Sequence, residues 1–244
     1  MKKLYEKNEL VFALVWIAVY VAGTTLAETL NETLGVFKVF SAAFHIAMVL
    51  VLLLWVKRNG LSGKYGLFLP RYRIADAWCF LPLVLVCLYK VCFTPVLRFS
   101  PAEAVLYVLS MMCVGFLEEI IFRGFLFRAI EKQNLKQAIV ISSITFGIGH
   151  VVNLLNGQDV LETAGQILFA VIVGFALVIL FYKGKSLVPC ILFHGAFNAL
   201  SIVANDEALY SSLGGPVSAA IILVAASAVL LGGYSLWNVR HLKG

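Results

Sequence analysis

The stretch GFLEEIIFRGF, residues 115–125, sets two adjacent glutamates, Glu118 and Glu119, and Arg123 inside an otherwise apolar run. Two other polar groups keep similar company: His150 closes FGIGH, and His194 opens HGAFN with Asn198 four residues on. A carboxylate held out of water binds its proton more tightly and becomes a competent general base for water. Imidazoles can orient that water or pass protons, and an amide N–H can donate to an oxyanion. One Glu, two His and one Asn in an apolar pocket therefore suit hydrolysis of an amide by activated water. No G-x-S-x-G elbow and no evident Ser/Lys or Cys/His assembly occurs, so a covalent nucleophile is the weaker idea. Glu and two His, with water in the fourth place, would also serve zinc, although H-E-x-x-H is absent. The plain alternative is a polar network that pins three helices together.

Spacing sorts these residues. Glu119 and Arg123 are four apart and share a helix face, with the Glu on the favourable N-terminal side. Glu118 lies roughly 140° around an α-helix from Arg123 and needs another partner. Phe146 and His150, like His194 and Asn198, are also four apart. If the helix runs on through GFLFRAIE, residues 124–131, Glu118 sits about 13 residues, roughly 20 Å, from its end. Gly124 is the weak point, but a stop at Phe122 would strand Phe125, Leu126 and Ile130 in a loop. On the same count His150 lies roughly 18 Å and His194 roughly 10 Å into their helices. With Asn198 a turn deeper, the groups are expected to meet Glu118 in one polar pocket. His45 reads as a hydrogen-bonded structural group.

The elements that must position them are membrane spans. Hydrophobic residues make up 61% and charged residues 13%, where a soluble domain carries about a quarter charged. Apolar runs near the roughly 20 residues needed to cross a bilayer recur along the chain. The expected fold is all-α: a polytopic bundle of about eight transmembrane helices, near 10–30, 34–56, 77–97, 102–122, 138–156, 163–182, 187–204 and 216–237. Most are apolar all round, unlike the alternating strands of a β-barrel. No repeat or long linker divides the chain, so residues 1–244 are expected to form a single integral-membrane domain.

With the N-terminus placed inside, sixteen of the nineteen Lys and Arg fall in inner segments, while Lys38 and Lys90 fall within spans. The expected topology is N-in and C-in. The basic inner rim then meets anionic lipid headgroups, and no nucleic-acid partner is needed to account for the net charge of +6. The first apolar run is long and its cleavage pattern weak, which favours an uncleaved span over a signal peptide. Cys79, Cys87, Cys92, Cys113 and Cys190 lie at span positions without a C-x-x-C pair, and read as reduced core residues.

The ordered set E-E-x-x-x-R (Glu118, Glu119, Arg123), F-x-x-x-H (Phe146, His150) and H-x-x-x-N (His194, Asn198) resembles the CPBP family. These are the CAAX-protease and bacteriocin-processing intramembrane proteases, related to the Rce1 prenyl-protein protease. The resemblance covers residues 105–205 as a catalytic core. It implies an eight-helix bundle with a conical cavity open toward the cytoplasm, and a glutamic endopeptidase that uses no metal or other cofactor. By the same resemblance Glu118 is the catalytic glutamate and His150 shares in activating water. His194 and Asn198 form the oxyanion hole, and Glu119 and Arg123 support the site, as does Phe146 of the middle motif. The implied substrates are CAAX-like prenylated peptides or small leader or bacteriocin-type peptides; the compact chain suits a bacterial plasma membrane, with an internal eukaryotic membrane as the alternative. A non-catalytic membrane scaffold or immunity protein, a zinc-dependent membrane protease and a proton-coupled transporter are the competing readings.

Overall fold

The computed structural model describes residues 1–69, 80–155 and 157–241, and among them every regular element is a helix. Arg71, Arg73, Cys79, the start of the 77–97 run, the Asn156 loop position and Lys243 lie outside the described residues. Helix α1 (Lys2–Lys7) precedes α2 (Glu9–Thr33), followed by α3 (Val39–Arg58) and α4 (Leu81–Cys92). The long α5 (Pro101–Glu131) comes next. Then follow α6 (Leu135–Gly149), α7 (Val160–Gly184), α8 (Val188–Leu200), α9 (Asp206–Ser212) and α10 (Pro216–His241).

Local chemistry explains the starts. Ser100 and Glu103 form a capping box around Pro101 at the head of α5, satisfying backbone N–H groups that have no helical acceptor. Asn8, Asn134 and Asp159 cap α2, α6 and α7 in the same way through side-chain oxygens. Lys38 falls before α3 rather than within a span: it adopts a left-handed backbone there and pairs with Glu28 at 2.6 Å. At the other end of α2, Glu9 pairs with Lys64 at 2.7 Å and Lys132 at 2.8 Å. The Glu9 carboxylate hydrogen-bonded to Lys132 holds that ammonium above its ordinary range.

The polytopic helical bundle is as expected. Among the described residues six helices are long and apolar enough to cross a membrane. A bent pair, Val188–Val203 with Asp206–Ser212, turns by 88° and would make a seventh. Of the 77–97 run, the described helix is the 12 residues of α4, about 18 Å at 1.5 Å per residue and short of the roughly 30 Å hydrocarbon core. The 187–204 run ends at Ala204, whose extended backbone precedes the turn into α9.

Leu14, Leu50, Leu168, Ile221 and Val229 stand exposed on the outside, an apolar surface that belongs in lipid rather than water. The interior is built around α5. Its first half packs on α3 and α8, and its second half on α2 and α6. The helix runs to Glu131, as the stranded-residue argument requires: Phe125, Leu126 and Phe127 are all buried. It does not run as a plain α-helix. From Glu119 to Phe127 the backbone widens into π-turns, a rare geometry found mostly at functional sites.

Candidate active site

The site begins where α5 and α8 touch. A Cβ added to Gly115 would lie 2.5 Å from the backbone nitrogen of Gly195 and 2.6 Å from its Cα. The two backbones can cross this closely only because both residues lack side chains, the usual device for tight helix contacts in membranes. Glu118 lies one turn beyond Gly115, and His194 immediately precedes Gly195, so the crossing brings them together.

From this contact a chain of polar groups extends in both directions. The hydroxyl of Tyr20, on α2, donates to Oε1 of Glu118 at 2.7 Å. Oε2 of Glu118 lies 3.2 Å from Nε2 of His194. Nδ1 of His194 lies 2.9 Å from Oε1 of Glu119. That same oxygen is 3.0 Å from Nη1 of Arg123. The expected Glu119–Arg123 pair is therefore present, and neither side chain has any exposed surface. Glu118 turns to other partners, as its angular position requires. The π-turns begin at Glu119, so the two carboxylates flank the change in helix geometry.

Distances alone overstate how well these groups are satisfied. Oε2 of Glu118 has no aligned hydrogen-bond donor despite its closeness to His194, and the three guanidinium nitrogens of Arg123 have no aligned acceptor. We take the first as a lone pair available to a water. The second marks the guanidinium as held by charge and by ring contact rather than by in-line bonds. Its central carbon lies 4.1 Å from the centre of the Phe146 ring, a cation–π contact of the kind that gains strength when desolvated. Phe146 also meets His194 and His150 edge to face, at 5.5 Å and 5.3 Å between ring centres. One ring thus braces the arginine and both histidines.

His150 is placed by the end of α6. Its Nδ1 lies 3.2 Å from the carbonyl oxygen of Phe146. A carbonyl can only accept, so in the neutral ring the proton sits on Nδ1 and Nε2 keeps a lone pair. Ser142, one turn before Phe146, donates to the carbonyl of Phe122 at 2.9 Å and ties α6 to the π-turns of α5.

Glu118, Phe146 and His150 line a cavity of about 100 Å³, together with Tyr20, Thr24 and Asn153. It has room for several waters beside the carboxylate. Asn198 is not brought to it. It lines a second cavity of about 320 Å³ with Tyr89, Lys90, Gln166, Phe169 and Phe197. The single pocket expected from the sequence is thus divided. Four residues advance a helix by about 6 Å, enough to carry Asn198 past the layer that holds His194. The wall between the cavities includes a hydrogen bond from Asn153 Nδ2 to Gln166 Oε1 at 2.9 Å.

The third histidine within the spans has structural partners. His45 is buried, with Nδ1 2.9 Å from Ser110 Oγ and Nε2 3.1 Å from Thr24 Oγ1. Cys87, Cys92, Cys113 and Cys190 are free thiols. Among the described residues no three His, Cys, Asp or Glu side chains group as metal ligands would. Tyr20 is the site residue that the sequence reading missed. It stands among nine tyrosines, in a span with no motif, and only the packing of α2 on α5 singles it out.

Comparison with known proteins bears on this same region. Residues 100–200 match the family described as type II CAAX prenyl endopeptidase Rce1-like. This segment is Rce1-like. It contains all three motifs and the whole chain from Glu118 to Arg123 and His194, while Tyr20 lies outside it. No curated protein and no solved structure matched. The match covers 101 of the 244 residues, and the family it names is one of endopeptidases.

Proposed function

We propose that the protein is an intramembrane endopeptidase of glutamic type, with residues 105–205 as the catalytic core of a single membrane domain. The observation that carries this reading is Glu118. One of its oxygens is held by Tyr20, the other is buried without an aligned donor, and the side chain lines a cavity large enough for water. Glu118 takes a proton from that water, which attacks the scissile carbonyl. The proton then passes to the departing amine. His150, with its Nε2 lone pair, helps to orient the water. His194, whose Nδ1 is held by Glu119, donates from Nε2 toward the oxyanion. Glu119, Arg123 and Phe146 keep His194 in place.

Asn198 joins this scheme only if the substrate reaches both cavities, with its carbonyl near the Asn153–Gln166 wall. A peptide laid across that wall would have one side in each cavity. The proposed substrate is a CAAX-like prenylated peptide or a small leader or bacteriocin-type peptide, entering from the membrane or the cytoplasmic side. The proposed setting is a bacterial plasma membrane, with both termini inside.

The test compares wild type with Glu118→Gln and His194→Ala, purified in detergent and matched for thermal stability. Each is incubated with prenylated and leader-peptide substrates, and products are read by mass spectrometry. Loss of a proton-transfer group is expected to slow cleavage by about 10²–10⁴-fold. Cleavage that persists in both folded variants sinks the assignment. A chelator arm separates the zinc alternative: activity lost to the chelator and restored by zinc would favour a metalloprotease.

A further inference from the structure

The Rce1-like match begins at residue 100, yet the shortest hydrogen bond to Glu118 comes from the first long helix. Tyr20 is buried, with 7% of its surface exposed, and its hydroxyl donates to Oε1 of Glu118 at 2.7 Å. That length is at the centre of the range for O–H···O bonds and approaches the shorter ones made to a charged oxygen. The tyrosine also lines the small cavity, opposite His150 and Phe146.

A second tie fixes the tyrosine's own position. Thr24 is one turn further along α2 on the same face. Its hydroxyl lies 3.1 Å from His45 Nε2, and the other nitrogen of that ring lies 2.9 Å from Ser110 on α5. Ser110 and Glu118 belong to the same helix, eight residues apart. The face of α2 is therefore fastened to α5 at two heights, once through His45 and once directly at the glutamate. Tyr20 cannot drift from Glu118 without breaking the neighbouring tie.

We propose that Tyr20 is a positioning residue for Glu118: it holds Oε1 and leaves Oε2 to take the proton from water. This rests on Glu118 being the base, as proposed above. An O–H group bonded to a carboxylate favours its ionised form, because the charged oxygen is the better acceptor. Tyr20 thus fixes Oε1 and keeps the carboxylate from rotating away from His194. The ionisable groups around Glu118 are Tyr20 on α2, His45 on α3, Glu119 and Arg123 on α5, His150 on α6 and His194 on α8, with Glu28, two turns further along α2, paired to Lys38 at the head of α3. Of these, Tyr20 makes the direct, aligned hydrogen bond.

The experiment uses the full chain in detergent, with two readouts. Infrared difference titration follows the carboxylic-acid stretch of Glu118, assigned by its loss in Glu118→Gln. Cleavage rates against pH follow the acid limb of kcat/KM. In Tyr20→Phe, which removes one oxygen and keeps the ring, the Glu118 band is expected to titrate about one pH unit higher, the effect of losing about 1.4 kcal/mol of preference for the charged form. The acid limb moves with it, and kcat falls about tenfold with KM nearly unchanged, as for a group that acts on the chemical step. Placing 3-fluorotyrosine at position 20, a stronger donor of the same shape, moves the band the other way and serves also if Tyr20→Phe does not fold. A band that titrates at the same pH in all three proteins overturns the proposal. A band that shifts while the acid limb stays fixed upholds the hold of Tyr20 on the glutamate and overturns Glu118 as the base, so the two failures are told apart.

Discussion

Removing the carboxylate of Glu119 should destabilise this protein more than the loss of a surface ion pair would. Arg123 has no exposed surface, and its guanidinium nitrogens have no aligned acceptor. Among the described residues Glu119 is the carboxylate within ion-pair distance, at 3.0 Å. In Glu119→Ala the arginine becomes an uncompensated charge in an apolar interior, a change that costs about 3–5 kcal/mol. The Phe146 ring, 4.1 Å away, retains about 1–2 kcal/mol of cation–π attraction, so the lower end, about 3 kcal/mol, is the expected loss. Replacing both partners with apolar residues, Glu119→Leu with Arg123→Met, removes the stranded charge as well. That double variant should lie within about 2 kcal/mol of wild type. The exposed pair Lys2–Glu6, 3.8 Å apart, supplies a control in Glu6→Ala, where little change is expected. Unfolding in mixed detergent micelles, followed by tryptophan fluorescence, measures all four proteins. If Glu119→Ala stays within about 1 kcal/mol of wild type, or the double variant is the less stable, the reasoning about a stranded charge is wrong.

Three further outcomes test other parts of the site. Gly115→Ala drives a methyl group into the backbone of Gly195; it should cost about 1–3 kcal/mol and, in thermal melts and cleavage assays together, reduce activity even where the protein remains folded. Ser142→Ala frees the Phe122 carbonyl within the π-turns, and a stability loss of about 1 kcal/mol is expected, read as a lower unfolding midpoint. Gln166→Ala removes the hydrogen bond in the wall between the two cavities. Competing peptides that differ in bulk beside the scissile bond should then show a preference shifted about tenfold toward the larger one, read from the ratio of kcat/KM values.

What could be read from the sequence is what depends on neighbours along the chain. Hydropathy is local, so the helices and the polytopic bundle were accessible. The Glu119–Arg123 pair was accessible too, because a four-residue step on a helix needs no tertiary information. Glu118 could be told to face elsewhere, but not toward which residue. That answer depends on how α2 packs against α5, and Tyr20 carries no spacing to any motif. The same limit divided the pocket: H-x-x-x-N puts His194 and Asn198 on one face, yet where that face meets other helices decides which cavity each side chain enters.

One tertiary signal did lie beside the motifs. Gly115 is three residues before Glu118, Gly147 is three before His150, and Gly195 follows His194. Each marks a close helix contact. Gly115 and Gly195 meet each other, and a Cβ on Gly147 would lie 3.0 Å from the carbonyl oxygen of Ile167 on α7. Glu, His and Asn have short side chains, so groups on different helices reach one another only where backbones approach closely. A polar residue within one turn of a glycine in a membrane span is therefore placed at a crossing, where it can find a partner on another helix. His45 reaches its partners in another way. It has no glycine within one turn, and it meets hydroxyls of Thr24 and Ser110 rather than charged groups. The glycines thus mark where Glu118 and His194 meet, on grounds independent of the motifs themselves.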